Sequence, residues 1–487
     1  MTISETIRDW KPKPLQILAL LIVLQLFVTL FTDGFALSFD EAMWHYIGRN
    51  WFRNGLIPYS GGVDNKSPLI FAIFGLSDML FGVNYWFPRV LGTICQSIGV
   101  FYVYKIARHI SGQRAGLLAI SFYGLSLLWH ATGGKYVSYT ETYDVLFIIL
   151  AVYHYLVGKS KKEMFVAGLM AGAAFAFRLT GAFCMVAILI SCLVKNRKYA
   201  LAFCAGAIST ILTLMVCCLF AGISLHDLLI YGLTDNFGSG SATDHTLLWK
   251  WHNFSAKFLL SGMLLFYPMV LGYFFIKRKA DLFVLWLIFS FIAINAVGIY
   301  DVVHLKELLP SLSLMCAFYI DYLLDQYRFR TNLSLLIIWI AFFPNLSGQL
   351  VTVKKRLSNN VNSAQKLCTP PYTIPDEGTR KLLGWWVRNN TSQQDKVYIA
   401  GFGAQVQAYS ERISPTIYFN VTQTTVAKVK FYSDMRSNKP TMILVPLFPE
   451  YKQTVGADMR QFVYSVVAKG YQLQGCMYNY NVYRVKK

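Results

Sequence analysis

Eleven apolar runs of 14 to 24 residues follow one another along the first 350 residues of the chain. A helix that crosses the hydrocarbon core of a bilayer needs about 20 apolar residues. Charged residues make up only 14% of the chain, against about 25% in an ordinary soluble domain. The sequence therefore predicts a polytopic α-helical membrane protein with about eleven transmembrane helices, over residues 15–31, 87–108, 115–131, 141–157, 164–177, 181–194, 199–222, 256–276, 281–299, 306–323 and 332–348.

The fifth and sixth runs are short and flank the tetrapeptide Arg178-Leu179-Thr180-Gly181. We interpret them as two spans that turn at the outer face. The alternative is one long broken helix over residues 164–194.

Lys and Arg side chains are divided unevenly between alternate loops. The set of loops that starts with the N-terminus holds 17 of them before residue 350, and the other set holds 9. Positive loops stay in the cytoplasm, so we expect a cytoplasmic N-terminus, an extracytoplasmic C-terminus and, with no cleavable signal peptide evident, a location in the bacterial inner membrane. The net charge of +20 comes from these short clusters between apolar runs, so nucleic acid is not an expected partner.

The last 138 residues (350–487) have shorter apolar runs than the preceding part of the chain. They predict a periplasmic α/β domain that follows a transmembrane domain over 1–349. Apolar runs shorten to strand length at Val397–Ala400, Ile413–Phe419, Met442–Pro446 and Met477–Val485, with helical patterns between them. Strands that alternate with helices are typical of a small α/β domain. We interpret Gly401-Phe402-Gly403, which follows the first strand, as a turn because it lacks the third glycine of a dinucleotide loop.

Seven of the nine cysteines fall in predicted spans, where they are small packing residues. Cys368 and Cys476 fall in the exported domain. A disulfide between them is plausible in an oxidising compartment. No Cys/His cluster has zinc spacing, and we expect no obligatory metal or other cofactor.

The first outer loop, residues 32–86, is long enough to be a functional segment. Trp44, Ile47 and Trp51 recur at helical spacing, which is typical of an amphipathic helix at the membrane interface. We interpret these side chains as membrane anchors.

Two neighbouring acids open this helix and have different expected roles. Ser38 and Glu41 have the spacing of a capping box, in which Glu41 reaches back to the N-cap amide. Asp40 lies in the first turn and has no such capping role. The structural alternative to a functional role is that its carboxylate only interacts favourably with the helix dipole.

Four short motifs in and just after this loop together resemble those of a known family. Phe39-Asp40-Glu41-Ala42, Pro58-Tyr59, Lys66-Ser67-Pro68-Leu69 and Pro88-Arg89, taken in order, resemble the first-loop signature of the GT-C membrane glycosyltransferases. Within that superfamily the sequence is most similar to the ArnT-like lipid A aminoarabinose transferases and to the protein O-mannosyltransferases. The chain departs from the pattern at Ser67, at Asn65 and at Met43, where aminoarabinose transferases carry a basic residue, so the resemblance does not indicate aminoarabinose as the sugar.

The resemblance implies an inverting transfer of a sugar from a polyprenyl-phosphate donor to an extracytoplasmic acceptor. It assigns Asp40 as the general base and Lys66 as a contact of the lipid phosphate. Arg89 joins Lys66 among the candidates for the donor phosphate. Membrane lipids are expected partners, because a sugar on a prenyl chain must be approached from the bilayer.

Other outer-face residues are further candidates. His304 and Lys306 precede a Leu-Pro and resemble the family's basic or His residue at that place, while Lys306 snorkelling or pairing with Glu307 is the alternative. Arg178 is either a buried cation near the donor or a surface anchor, and Glu141 either caps its helix or binds the acceptor as a secondary acid. Lys250 and His252 lie in a long outer loop and are weaker candidates for the phosphate, the alternative being a solvated loop.

The acceptor stays open at this stage. Lipid A, other lipopolysaccharide, a lipid-linked O-antigen and a protein hydroxyl all fit an exported site. A transporter or flippase for a lipid-linked glycan is the competing class, although no internal repeat is apparent and the acids cluster at the outer surface. A non-catalytic envelope scaffold is a third class.

Overall fold

The structure is a computed structural model, and it describes residues 13–31, 35–129, 132–236, 246, 248–249, 251–252, 263, 266–277, 281–297, 302–328, 330–359, 368–421 and 425–486. These residues are mostly helical and include one four-stranded sheet. The helices are α1 (Pro14–Leu30), α2 (Phe39–Asn54), α3 (Pro68–Phe81), α4 (Trp86–Ser126), α5 (Thr140–Val157), α6 (Lys161–Phe177), α7 (Gly181–Lys195), α8 (Arg197–Phe220), α9 (Leu225–Leu229), α10 (Phe266–Lys277), α11 (Leu282–Val297), α12 (Leu309–Tyr327), α13 (Thr331–Asn359), α14 (Glu377–Asn389), α15 (Ala404–Ser410), α16 (Thr425–Ser437), α17 (Glu450–Thr454) and α18 (Ala457–Gly470). The strands are β1 (Val397–Ile399), β2 (Met442–Pro446), β3 (Tyr471–Met477) and β4 (Tyr480–Val485), and short 3₁₀ segments cover Gly134–Ser138 and Val302–Leu308.

The chain divides into two compact units. The helical unit comprises residues 1–30, 89–216 and 243–352, and the α/β unit comprises residues 31–88, 217–242 and 353–487. The first loop belongs to the same compact unit as the C-terminal segment, and α13 runs across residue 350. The domain limit predicted at that residue stays a prediction.

The predicted membrane segments correspond to helices in the described part of the chain. α4 covers two of the apolar runs and kinks at Gly112, which has φ of +88°. α6 and α7 are separate helices, as the first interpretation of the short runs expects. Four described helical segments are long and apolar enough to cross a membrane, at Trp86–Ser126, Thr140–Val157, Arg197–Phe220 and Val303–Tyr327. The count of eleven stays a prediction.

Glycines let two helices of the helical unit approach closely. A Cβ at Gly168 of α6 would lie 2.0 Å from the carbonyl oxygen of Phe203, and one at Gly206 of α8 would lie 2.1 Å from that of Phe165. Small residues that allow backbones to meet are typical of helix interfaces in membranes. This close contact agrees with the membrane protein that the composition predicts.

In the α/β unit, α2 and α3 also pack backbone to backbone. A Cβ at Gly48 would lie 2.3 Å from the carbonyl oxygen of Phe71, and one at Gly75 would lie 2.7 Å from that of Gly48. Trp44 and Ile47 of α2 are each 1% exposed. The interpretation of these two side chains as membrane anchors is therefore wrong: they form part of the core that α2 shares with its neighbours.

The sheet has the order β1-β2-β4-β3, with β1 parallel to β2 and the other pairs antiparallel. The predicted strands at Val397–Ala400 and Met442–Pro446 are present as β1 and β2. The strand predicted at Ile413–Phe419 is wrong, since only Ile413 forms an isolated bridge, with Lys396. The single strand predicted at Met477–Val485 is instead the end of a hairpin, in which Tyr478 and Asn479 take positive φ values of 49° and 65°.

Cys368 and Cys476 are joined in a disulfide whose Cα atoms lie 6.0 Å apart. The bond ties β3 to the segment that leads into α14. Gly401-Phe402-Gly403 forms a bend after β1, with Gly401 at a φ of +79°, so its interpretation as a turn is confirmed.

Candidate functional site

The start of α2 carries the two acids, and their environments differ. Ser38 is the N-cap: its hydroxyl accepts a hydrogen bond from the amide of Glu41, while the Glu41 carboxylate accepts one of 2.7 Å from the amide of Ser38. The predicted capping box is confirmed, and Glu41 is completely buried within it. Asp40 lies in the same first turn and is only half-buried. Of these two carboxylates, Asp40 is therefore the one that a ligand can approach.

Side chains from the C-terminal segment surround this first turn. The ring of Phe402 packs edge to face on Phe39, with centroids 5.1 Å apart. Asn420 donates to the sulfur of Met43 at 3.3 Å, so the position where aminoarabinose transferases carry a basic residue is buried here. These contacts were missed by sequence reasoning, because no local pattern indicates which loop of a second segment covers a helix end.

The backbone before α2 is held by the same segment. The Tyr409 hydroxyl accepts a hydrogen bond of 2.8 Å from the amide of Leu37, and the Gln405 amide donates one of 3.0 Å to the Leu37 carbonyl. Both groups belong to α15, a helix that the sequence did not predict. The C-terminal segment thus fixes the chain immediately before the two acids.

The loop that carries Lys66 is folded back on α2. The Trp44 indole donates to Asp64 at 2.8 Å, and the Tyr59 hydroxyl donates to the Lys66 carbonyl at 2.7 Å. The Lys66 ammonium is half-buried and donates to the side-chain oxygen of Asn65 at 3.0 Å. The loop backbone is well anchored, and within the described residues the ammonium donates to a neutral amide oxygen.

Ser67, a departure from the family pattern, has a local structural role. Its hydroxyl accepts a hydrogen bond of 3.3 Å from the amide of Leu69 and caps α3, with Pro68 in the first turn. Serine before proline is a favourable start for a helix. The substitution therefore keeps Lys66 at a defined helix entrance.

A second set of candidates meets in the helical unit. Arg178 forms ion pairs with Glu141 and, at 2.9 Å, with Glu307, and its side chain is only 10% exposed. His304 lies 3.6 Å from Glu141. Glu141 is thus buried in ion pairs, and its role as a helix cap or as an acceptor contact stays a prediction. Arg178 is a buried, paired cation rather than a surface anchor.

Lys306 is completely buried beside this cluster. Its ammonium donates hydrogen bonds to the Tyr136 carbonyl at 2.8 Å and to the Thr142 hydroxyl at 2.9 Å. It neither snorkels nor pairs with Glu307, whose carboxylate instead accepts from Thr180 and pairs with Arg178. In this structure Lys306 links the 3₁₀ segment before α12 to the start of α5.

The remaining candidates are Arg89, His252 and Lys250. Arg89 lies in α4 of the helical unit and is completely buried. His252 is exposed, and Lys250 lies outside the described residues. No group of three or more His, Cys, Asp or Glu side chains in the described ranges is arranged to hold a metal ion.

Solved structures of other proteins share this fold. It is similar to ArnT from Cupriavidus metallidurans bound to undecaprenyl phosphate, with a TM-score of 0.69 and 12% identity over 96% of this chain and 97% of that chain. It is also similar to the Archaeoglobus fulgidus oligosaccharyltransferase in complex with Zn and sulfate, with a TM-score of 0.56 and 12% identity over 88% of this chain and 68% of that chain.

Residues 65–221 match the family model described as dolichyl-phosphate-mannose-protein mannosyltransferase. No curated protein matches the chain by sequence. This fold and this family match agree with the resemblance inferred from the first-loop motifs. The membrane-protein fold agrees with the predicted membrane location, whereas the orientation and the particular membrane stay predictions.

Proposed function

We propose that this chain transfers a sugar from a polyprenyl-phosphate donor to an acceptor of the bacterial cell envelope, with inversion at the anomeric carbon. ArnT and the oligosaccharyltransferase share its fold, and the ArnT structure is bound to undecaprenyl phosphate. The acceptor is a lipopolysaccharide, lipid A or O-antigen glycan on the outer side of the inner membrane. The polyprenyl chain of the donor and the surrounding lipids are the other partners.

The observation that carries this proposal is the difference in burial between the two acids at the start of α2. The capping box occupies Glu41 and buries it, whereas Asp40 in the same turn stays half-buried. A general base must come within hydrogen-bond reach of the acceptor hydroxyl. Asp40 meets that requirement of access because it is only half-buried.

The reaction needs one base and cations for the leaving group. Asp40 takes the proton of the acceptor hydroxyl as its oxygen bonds to the anomeric carbon, and the bond from that carbon to the phosphate oxygen breaks. The lipid phosphate leaves with the electron pair of that bond, and the ammonium of Lys66 stabilises its charge. One carboxylate is sufficient for inversion, and no second nucleophilic acid is required.

Lys66 is a better candidate for the donor phosphate than Lys306 or Arg178. Lys306 and Arg178 are both buried. Lys306 donates hydrogen bonds to two oxygen atoms of the protein, and Arg178 forms ion pairs with two carboxylates. We assign these two side chains to holding the helical unit together. The half-buried Lys66, whose ammonium donates to the neutral Asn65 amide, is the cation that we assign to the phosphate.

A protein hydroxyl is the second candidate acceptor, favoured by the protein mannosyltransferase description of the family model that matches residues 65–221. Mass spectrometry of envelope glycans and of envelope proteins, with and without the gene, separates the two. A sugar lost from the glycan fraction supports our proposal, and a hexose lost only from protein Ser or Thr supports the alternative.

Purified protein and a synthetic prenyl-phosphate sugar test the reaction class. Transfer releases prenyl phosphate in step with a glycosylated acceptor. A flippase would move the intact donor between vesicle leaflets and release none, and that result would contradict the proposal.

A further inference from the structure

A cavity of about 410 Å³ opens on the α/β unit, away from the residues assigned to transfer. Arg49 and Arg53 of α2, Phe81 of α3, Trp385 and Arg388 of α14, and Glu411 line it. We propose that this arginine cavity binds the phosphoryl headgroup of an anionic membrane lipid. Its volume lies in the range of small-molecule sites, and the inference does not depend on the proposed transfer reaction.

The charges around the cavity leave a positive excess. Asp78 accepts from Arg49 at 3.1 Å and from Arg53, and Glu411 accepts from Arg49 at 2.7 Å and from Arg388 at 2.5 Å. Three guanidinium groups thus meet two carboxylates. Asp78 has no exposed surface, so the guanidinium groups dominate what a ligand meets.

His45 packs against the same carboxylate but does not change this balance. Its ring nitrogen lies 3.8 Å from Asp78. Complete burial, together with the nearby Arg49, lowers the pKa of His45 to about 4 although Asp78 opposes the shift. The ring is therefore neutral at physiological pH.

Two of the arginines keep donors for a ligand. The side chains of Arg53 and Arg388 are 41% and 49% exposed. Within the described residues, the bonds of Arg53 use Nε and Nη2, and the bond of Arg388 uses Nη1. The remaining N–H groups have the planar fork that matches phosphate oxygens.

The rim of the cavity explains why a lipid is the ligand. Phe81 and Trp385 line it and are 50% and 43% exposed, and Leu80 and Met79 of α3 are exposed next to Phe81. An exposed apolar patch beside a charged pocket marks an interaction site. The ammonium of Lys381 lies 4.8 Å from the Trp385 ring and adds a fourth cation at this edge.

The test is native mass spectrometry of the full-length protein in detergent with three probes. These are dioctanoyl phosphatidylglycerol, dioctanoyl phosphatidylcholine and inorganic phosphate. We expect phosphatidylglycerol to bind at least about tenfold more tightly than phosphatidylcholine, and inorganic phosphate to compete poorly. Competition by inorganic phosphate at the same concentration as the lipid would overturn the assignment to a lipid.

Matched variants decide whether the arginine cavity is the site. The double variant Arg53→Gln/Arg388→Gln should bind phosphatidylglycerol at least about tenfold more weakly, because charge-assisted hydrogen bonds to phosphate are lost. Lys452→Gln/Lys469→Gln removes two charges from exposed positions elsewhere in the same unit and should change binding by less than about twofold. Equal binding by the arginine variant and the native protein would overturn the proposal.

Thermal unfolding without lipid checks that the double variant is folded. If it is not folded, Arg388→Lys is tested instead. This substitution keeps the positive charge beside Glu411 and removes only the planar pair of guanidinium donors. That variant should lose about threefold in affinity for phosphatidylglycerol, and unchanged affinity would contradict the proposed bidentate contact.

Discussion

The two compact units each gather charged side chains that the sequence marked as candidates, and they use them differently. In the helical unit, Arg178 is buried between Glu141 and Glu307. In the α/β unit, Asp40 and Lys66 are half-buried, and the Lys66 ammonium has an uncharged amide partner. The first set is buried in ion pairs within the protein, whereas the second is partly exposed to a ligand.

This difference separates residues that hold the fold from residues that act on a substrate. A buried ion pair compensates the cost of desolvating its own members, and little of its charge is left for a ligand. The Asp40 carboxylate and the Lys66 ammonium are only half-buried, so a ligand can reach both. We therefore assign stability to the Arg178 cluster and chemistry to the start of α2 and its neighbouring loop.

The largest expected effect is on stability and comes from Arg178→Met. This change leaves two buried carboxylates without their guanidinium, which typically costs about 3–5 kcal/mol. Thermal unfolding in detergent should show a strongly destabilised protein. Arg53→Met is the matched control: Asp78 keeps its ion pair with Arg49, so the loss should be about 1 kcal/mol or less. Equal destabilisation by both variants would remove the contrast between the two units.

The next effect is on catalysis and comes from Lys66→Gln. Losing a charge-assisted bond to phosphate costs about 1.5–3 kcal/mol, so turnover at limiting donor should fall about tenfold to a hundredfold while the melting temperature changes little. Lys161→Gln makes the same change at an exposed site at the start of α6 and should leave turnover unaltered. Normal donor use by Lys66→Gln would take Lys66 out of the site.

The smallest effect compares two helix caps, one in each unit. Ser38 caps α2 and Ser160 caps α6, each by accepting from the amide three residues on. Ser38→Ala and Ser160→Ala should each cost about 1 kcal/mol of stability. Only Ser38→Ala should also lower the transfer rate, because it releases the turn that positions Asp40. A rate loss of the same size in Ser160→Ala would show that activity follows stability alone.

Much of the fold could be predicted because its signals are local. Apolar runs near 20 residues have few other uses, and the described helices lie where those runs do. The capping box at Ser38 and Glu41 depends on four consecutive residues and was confirmed for the same reason. The error at Ile413–Phe419 arose where an apolar run is buried by the fold without joining the sheet.

The rest of the site could not be predicted because it depends on contacts between distant segments. Sequence alone left Arg178 and Lys306 as phosphate candidates, and only the structure provides the partners that bury them, Glu307 and Thr142 among them. In the same way, nothing near Phe402 indicates that it packs on Phe39 beside Asp40. A charged residue has the same local pattern whether its partner is a ligand or the protein itself.

The most direct test of the central claim compares Asp40→Asn with Glu41→Gln in one transfer assay, with donor binding and thermal unfolding measured on both. Asp40→Asn keeps the shape and removes the base, so transfer should fall by at least about 100-fold while donor binding is retained. Glu41→Gln can still close the capping box, so fold and transfer should both be kept. If Glu41→Gln is inactive and Asp40→Asn is active, the two acids are assigned the wrong way round; if both transfer at the native rate, the start of α2 is not the catalytic site.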